Sequence, residues 1–586
     1  MNTALTRAPA PAAGSQPSLT PPAPRSPHRT WNTLATLAPA LLIAFACYRQ
    51  RWVGDDGLIY TRVVRQILAG NGPVFNVGER AESSTGTLWQ WLIAAGSLYP
   101  GTDPARVATA LGVFCTGAGF LLALDGARRF HPARSLLVPA GVLVLLPVQA
   151  VWDYGTSGLE SGLVFGWLGL SWWLLVRTAT APVAARTHLA TCAVLGLGPL
   201  VRPELGAVSA VFLATAWFLG RPGWRATTAR LAAAVALPLA YEIFRAGYYG
   251  ILVPLPGVTK EASTSLWGRG LLYLGNFVEP YRLWLPLLLV AGLTVEVVRR
   301  STHGRRDTAI VAAPLVAGLL CTLYAVKVGG DFMHGRTLLP ALFLLLLPVM
   351  LVPLTRVSGA VVAALGVWAA ACLLFWRPPH LDGGASAILD EHAGYIAATG
   401  SEHPVSQSVH AARNLRFTHR LDSVRQSGSR SVVIEMSYDK RYAILPLTAR
   451  IPAPLAGAEA RLGHSGTVIP LDGRAIDTLG LAYPLGAHIE SRVFTKAGHD
   501  KPLPREWIIA DYTDPGTPTP PGIQPRRVAA ARHALTCGPL AELQASVREP
   551  MTLRRFTRNL AGAWDRTAFR FPSDPVEAER RLCGRG

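Results

Sequence analysis

WVGDDGLIYTRVVRQILAGNGPVFNVGERAESSTGTLW, residues Trp52 to Trp89, follows directly on the first apolar run of the chain. Two adjacent carboxylates, Asp55 and Asp56, open it. A helical pattern follows, with Leu58, Val63, Ile67 and Leu68 on one side and Arg62, Arg65 and Gln66 towards the other. Asn71-Gly72-Pro73 ends that helix. A polar run with Glu79, Arg80, Glu82, Ser83, Ser84 and Thr85 then leads into a second amphipathic stretch, Thr87 to Leu98. The pattern predicts two helices lying on a membrane surface around a carboxylate-bearing loop. Such a loop is costly beside lipid, so it is expected to form the floor of a site.

Working outward, the 586 residues are half hydrophobic, with a mean hydropathy of +0.28, which points to a membrane as solvent. The formal charge of +20 is nearly all arginine, since the chain has only five lysines. No basic patch with interleaved aromatics accompanies it, which argues against nucleic acid as a partner. Residues 1–30, rich in Pro, Ala, Ser and Thr, read as a disordered cytoplasmic tail. The run from about Leu34 to Cys47 is followed by no small-residue cleavage site and reads as an uncleaved anchor.

Apolar runs of about 15–20 residues recur as far as Trp376. They predict about eleven spans, centred near Leu41, Val113, Leu143, Leu168, Leu195, Leu213, Ala236, Val290, Val316, Leu345 and Gly366. With the N-terminus inside, every cytoplasmic loop carries arginine: Arg128, Arg129 and Arg134, then Arg177 and Arg186, then Arg221, Arg225 and Arg230, then Arg299 to Arg306, then Arg356. That positive-inside pattern puts the opening stretch outside the membrane. The fold expected is therefore a polytopic all-α membrane domain over 31–376, whose first outward loop is 49–87, followed by a soluble mixed α/β domain over 377–586 on the outer side. Within the latter, Ser431–Met436 and Trp507–Ala510 read as strands, and helical patterns run from Ile523 onward.

The outward segments hold cations that break the charge rule: Arg202, Lys260, Arg269 and Arg336. Helix-end residues snorkelling to the interface would account for each singly. Together they suggest an outer cavity that accepts an anion. Lys260, Arg336 and Arg202 are candidates to neutralise it, His334 to hydrogen-bond or protonate it, and Asp331 and Glu204 to orient the cations or bind hydroxyls. Asp55 and Asp56 are the catalytic candidates, because two carboxylates this close do not ionise independently. An acidic pair also serves as a helix N-cap. Trp52, Trp89, Tyr248 and Tyr249 suit stacking on sugar or anchoring at the interface. No cluster has zinc or calcium spacing, although the aspartate pair could share a divalent cation. Of seven cysteines, only Cys537 and Cys583 lie outside the spans, and an oxidising compartment predicts a disulfide between them.

The aspartate loop, LVRPELG (200–206), YEIFRAGYYGILVPLPGVTKEA (241–262), VGGDFMHGRTLLPALF (328–343) and GHDKPLPREWIIADY (498–512) occur in one order. In that order the chain resembles the AftB family, the terminal β-1,2 arabinofuranosyltransferases of mycobacteria and corynebacteria. These are GT-C glycosyltransferases. The resemblance implies decaprenyl-phosphoryl-arabinose as donor, the non-reducing ends of arabinan in arabinogalactan or lipoarabinomannan as acceptor, and Asp55 and Asp56 as the active-site acids. It also implies retention of the anomeric configuration, by a carboxylate nucleophile and two displacements or by same-face attack. Another lipid-linked-sugar transferase, a transporter and a scaffold are the competing readings. Within the outer domain, Trp507, Tyr483, His499 and Asp511 are candidates for acceptor contacts.

Overall fold

The computed structural model describes residues 27–132, 135–261, 264–300, 304–376, 387–413, 415–436, 441–491 and 498–584. The tail expected over 1–30 lies almost wholly outside them. Among the described residues, six helices are long and apolar enough to cross a membrane: His28–Arg49, Pro104–Phe130, Ser161–Thr180, Pro203–Gly220, Arg305–Lys327 and Arg356–Leu374. The remaining expected span centres fall on other elements. Leu195, Val290 and Leu345 lie in or beside helices too short to span alone, and Ala236 lies in Trp224–Tyr248, which carries four charges. Leu143 sits in the five-residue helix Gly141–Leu145, closed off before Pro147. Directly before that helix, strand β1 (Leu137–Pro139) pairs antiparallel with β2 (Leu351–Pro353).

Helices Pro104–Phe130 and Ser161–Thr180 touch backbone to backbone. A Cβ on Gly169 would lie 2.1 Å from the Gly119 carbonyl oxygen, so small residues set this crossing, as is usual where lipid offers no hydrophobic driving force.

The C-terminal part is built on a four-stranded sheet. Its strands are β3 (Ser431–Glu435), β4 (Tyr442–Pro446), β5 (Leu455–Glu459) and β6 (Arg474–Asp477), in the order β4-β3-β5-β6. Only the β3–β4 hairpin is antiparallel. The run SVVIEM is β3, as its β-branched residues dictate. Trp507–Ala510 is not a strand: it lies in helix Arg505–Tyr512, started by Pro504 and packed in the core on one face of the sheet. A short apolar run does not by itself separate strand from buried helix. Five helices follow, from Pro525–Ala534 to Pro575–Cys583, and the Cys537–Cys583 disulfide ties the start of the second, Gly538–Arg548, to the last across 46 residues.

The opening stretch joins the two parts. Helix Asp55–Leu68 does not lie on lipid. Ile59 and Val63 pack with Phe417, Leu421, Val433, Leu455 and Leu462 of the C-terminal part, while Tyr60 and Val64 pack into the membrane bundle. Arg62, expected to face solvent, is fully buried. Its guanidinium donates to the carbonyls of Phe75, Gly466, Ile469, Pro470 and Gly473 at 2.8–3.1 Å. Hydrogen bonds to a charged group contribute about 1.5–3 kcal/mol each, so one arginine fixes both the loop and the turn before β6.

Candidate active site

Helix Asp55–Leu68 begins at Gly54, without a side-chain cap of its own. Asp55 instead caps a different helix, Leu462–Val468, which lacks an N-cap side chain. One carboxylate oxygen accepts from the Gly463 N–H at 2.8 Å and the other from the His464 N–H at 2.9 Å. Gly463 permits this contact, since a Cβ there would lie 2.0 Å from the Asp55 carbonyl oxygen. Burial raises the Asp55 carboxyl above its usual range against the pull of the Gly463 N–H, and the neighbouring Asp56 raises it further. Asp56 is different: among the described residues nothing donates to it, and its side chain faces a void.

That void has a volume of about 170 Å³ and is lined by Asp55, Asp56, Lys260, Phe332, Glu391, Tyr395, Arg461 and His499. Glu391 comes from helix Glu391–Thr399, capped by Asp390 and fastened to the membrane part through Trp52. The Trp52 ring stacks on His392 with centroids 5.3 Å apart, and its indole N–H donates to the Asp153 carbonyl at 2.7 Å. His392 in turn holds the Asp153 carboxylate at 3.0 Å. One buried Glu391 oxygen has no hydrogen-bond partner. Burial, then Asp56 and Asp55, push its carboxyl well above the usual range, which favours the protonated acid.

The other sequence candidates take distinct places. Lys260 lines the cavity, with its side chain running past Gly498, and no carboxylate among the described residues pairs with it. Arg336 binds Asp331 at 2.5 Å, both buried, directly behind Phe332. Burial works to raise the Asp331 carboxyl, and Arg336 and then Lys260 overcome it, holding it below the usual range. Arg202 is clamped by Glu204 at 2.5 Å and by Glu160 at 3.2 Å, and Glu160 also accepts from the Tyr60 hydroxyl at 2.9 Å. Arg269 pairs with Asp500. Three of the four outward cations therefore already have an acid, and two of those acids, Glu204 and Asp331, are the ones expected either to orient the cations or to bind hydroxyls. His334 lies outside the cavity lining, its Nδ1 2.7 Å from Asn276 Oδ1 and its ring against Phe277 and Tyr281.

Several candidates for sugar contacts are packing groups. Trp52 and Trp89 are fully buried, the latter donating to the Gly158 carbonyl. Tyr249 donates to the Pro73 carbonyl, and Tyr248 stacks on Phe244. Trp507 is buried in the C-terminal core, and Tyr483 donates to Asp511 at 2.5 Å. His499 alone of its group reaches the cavity, edge-on to Phe332. Sequence reasoning missed Glu391, Tyr395 and Arg461. The available signal was the acidic pair Asp390-Glu391 opening a short helix just beyond the last span.

No metal trio forms at the cavity. Among the described residues, the His/Cys/Asp/Glu group close enough to share an ion is His533 with Cys537 and Cys583, and both sulfurs are spent in the disulfide.

Multiple membrane helices, with acids from both parts of the chain converging on one water-accessible cavity at their ends, define a multi-pass membrane protein with an interfacial polar site. Comparison with known proteins gives the particular group. A terminal beta-(1->2)-arabinofuranosyltransferase of Mycobacterium tuberculosis is 34% identical over 615 aligned positions, covering 94% of this chain and 97% of the relative. One from Corynebacterium glutamicum is 34% identical over 581, covering 90% and 84%. Residues 448–579 match the AftB family C-terminal domain. The chain belongs to the family of terminal beta-(1->2)-arabinofuranosyltransferases. Among solved structures, ArnT from Cupriavidus metallidurans bound to undecaprenyl phosphate aligns with 67% of this chain and 68% of its own length, at 16% identity and a TM-score of 0.37.

Proposed function

We infer that the protein transfers arabinofuranose from decaprenyl-phosphoryl-arabinose to the non-reducing ends of cell-wall arabinan, making terminal β-1,2 linkages on the outer side of the plasma membrane. Family membership supports the reaction. The observation that carries the site is that Asp56 lines one cavity with Glu391 and Lys260, without a partner of its own among the described residues. In this reading residues 31–376 carry the donor, 377–586 close the cavity from outside, and helix Asp55–Leu68 is the hinge of the two.

The residues divide the work. Asp55, with both oxygens held by backbone N–H groups, fixes the start of its helix and so aims Asp56. Asp56 is the carboxylate free to act at the reacting carbon or on the acceptor hydroxyl. Lys260 and the Arg336–Asp331 pair behind it supply the positive field for the departing lipid phosphate. In the double-displacement form, Asp56 attacks the anomeric carbon while Glu391 gives its proton to the departing lipid phosphate. Glu391, now a carboxylate, then takes the proton of the acceptor hydroxyl as that oxygen displaces Asp56, and the configuration is retained.

The test is a purified preparation given labelled decaprenyl-phosphoryl-arabinose and a short arabinan acceptor. Transfer to the non-reducing end in a β-1,2 linkage is expected, with none from lipid-linked mannose. Transfer of mannose in place of arabinose would replace this reading with that of another lipid-linked-sugar transferase.

A further inference from the structure

A second and larger cavity lies at the opposite ends of the membrane helices, and the transfer chemistry has no use for it. Helix Pro104–Phe130 starts at Asp103, whose carboxylate accepts from Gln407 of the C-terminal part. Its 27 residues run about 40 Å to Arg129 and Phe130 on the far side. There a cavity of about 740 Å³ opens among the ends of that helix, Ser161–Thr180, Trp284–Arg299, Arg305–Lys327 and Arg356–Leu374, beside β2.

Its composition is two-sided. Phe130, Leu293, Val297 and Ile310 make apolar walls, while Arg129, Arg300 and Arg306 stand at the rim. Arg129 and Arg300 are half shared with Asp125 and Glu296. Arg306 is exposed and has no carboxylate paired with it among the described residues. Among the described residues the acids of the lining are Glu296 and Asp307, and Asp125 beside it is shared between Arg128 and Arg129, so cations are in excess by one. A free phosphate would gain nothing from the apolar walls, and a zwitterionic headgroup nothing from the excess charge. Basic pockets between membrane helices suit the headgroups of anionic lipids, and the volume is within the range of ligand cavities.

We propose that this cavity holds one anionic glycerophospholipid, its phosphate between Arg300 and Arg306 and its acyl chains leaving along Leu293, Val297 and Ile310. The site is separate from the transfer cavity and does not depend on what that cavity transfers.

Native mass spectrometry of the detergent-solubilised full chain, titrated with phosphatidylglycerol, tests it. One tightly retained lipid is expected. An Arg300→Gln/Arg306→Gln double variant should bind it about thirtyfold more weakly, from about one charge's worth of headgroup attraction per arginine. Thr180→Trp, which narrows the mouth from an exposed position and keeps every charge, should also displace the lipid. Arabinosyl transfer in detergent should persist in both variants, which reports an intact fold. Equal retention of phosphatidylcholine, unchanged binding in the double variant, or displacement of the lipid by millimolar inorganic phosphate would each overturn the assignment.

Discussion

Two groups of carboxylates meet the loop Trp52–Thr87, and they are treated in opposite ways. Below the C-terminal part, Glu79 and Asp511 share Arg548, with contacts of 2.7–2.9 Å. Glu82 is held by Arg245 at 2.6 Å and by the Tyr241 hydroxyl at 2.7 Å. In the cavity, nothing among the described residues donates to Asp56, and Glu391 keeps a bare oxygen with no arginine paired to its carboxylate, whereas the bare oxygen of Glu79 belongs to a carboxylate that Arg548 holds. Burial alone would raise both Asp511 and Glu391, yet Arg548 brings Asp511 below the usual range, while the aspartate pair drives Glu391 the other way. A buried acid with an arginine is architecture. A buried acid facing other acids across a void is kept for chemistry, because folding alone would select against it.

The sharpest way to break this contrast is to cross the two groups with mutations. Asp56→Ala should lower arabinosyl transfer by about 10²–10⁴-fold, the range for a group acting on a proton in the transition state, with unfolding unchanged. A variant that transfers normally would move the chemistry elsewhere. Arg548→Met should do the reverse. It leaves Glu79 and Asp511 buried without a cation and should cost about 3–5 kcal/mol in chemical denaturation, with the remaining folded fraction still turning over donor. Unaltered stability would show that the pair is solvated and that the contrast is false.

That several helices cross a membrane was legible because hydropathy is a one-dimensional signal. Among the described residues six helices meet the length and composition of a span, and the broken segment around Leu143 shows where a hydropathy window fails: Pro147 and the pairing of β1 with β2 are invisible to it. In the site, Asp55, Asp56 and Lys260 could be read from residue type and position, and all line the cavity. Glu391 carried a weaker signal, an acidic pair opening a short helix, because it is separated from Asp55 by the whole membrane part and the docking of His392 on Trp52 helps to bring it there. The amphipathic pattern of Asp55–Leu68 was read correctly as helix but assigned the wrong apolar solvent. Its partner is helix Leu462–Val468 and the cluster it shares with β3 and β5 rather than lipid, and periodicity does not distinguish the two.

Glu391→Gln sharpens the contrast at one residue. The amide keeps shape and a hydrogen-bond donor but carries no transferable proton, and about a 10²-fold loss of kcat is expected. The pH dependence separates this from a packing defect. The folded state holds the Glu391 proton more tightly than the unfolded chain does. Its contribution to stability is therefore complete below the ordinary glutamate range and is lost as pH rises through the elevated value. Wild type should lose both transfer and stability on that alkaline side, and Glu391→Gln should lack both limbs. Parallel profiles for the two proteins would mean that Glu391 is ionised throughout.

The smallest effect expected separates the cations in the same way. Lys260 reaches the cavity unpaired, whereas Arg336 is committed to Asp331. Lys260→Gln removes a charge that no carboxylate among the described residues pairs with directly, so it should raise the donor KM about tenfold, leave kcat nearly unchanged and shift the unfolding midpoint far less than Arg336→Gln does. Arg336→Gln strands a buried aspartate, so its loss of activity should come with a loss of stability, and adding Asp331→Asn should restore the stability without restoring the activity. If Lys260→Gln instead destabilised the protein while donor KM stood still, the lysine would belong with the paired, architectural charges. The positive field for the lipid phosphate would then fall to Arg336 alone.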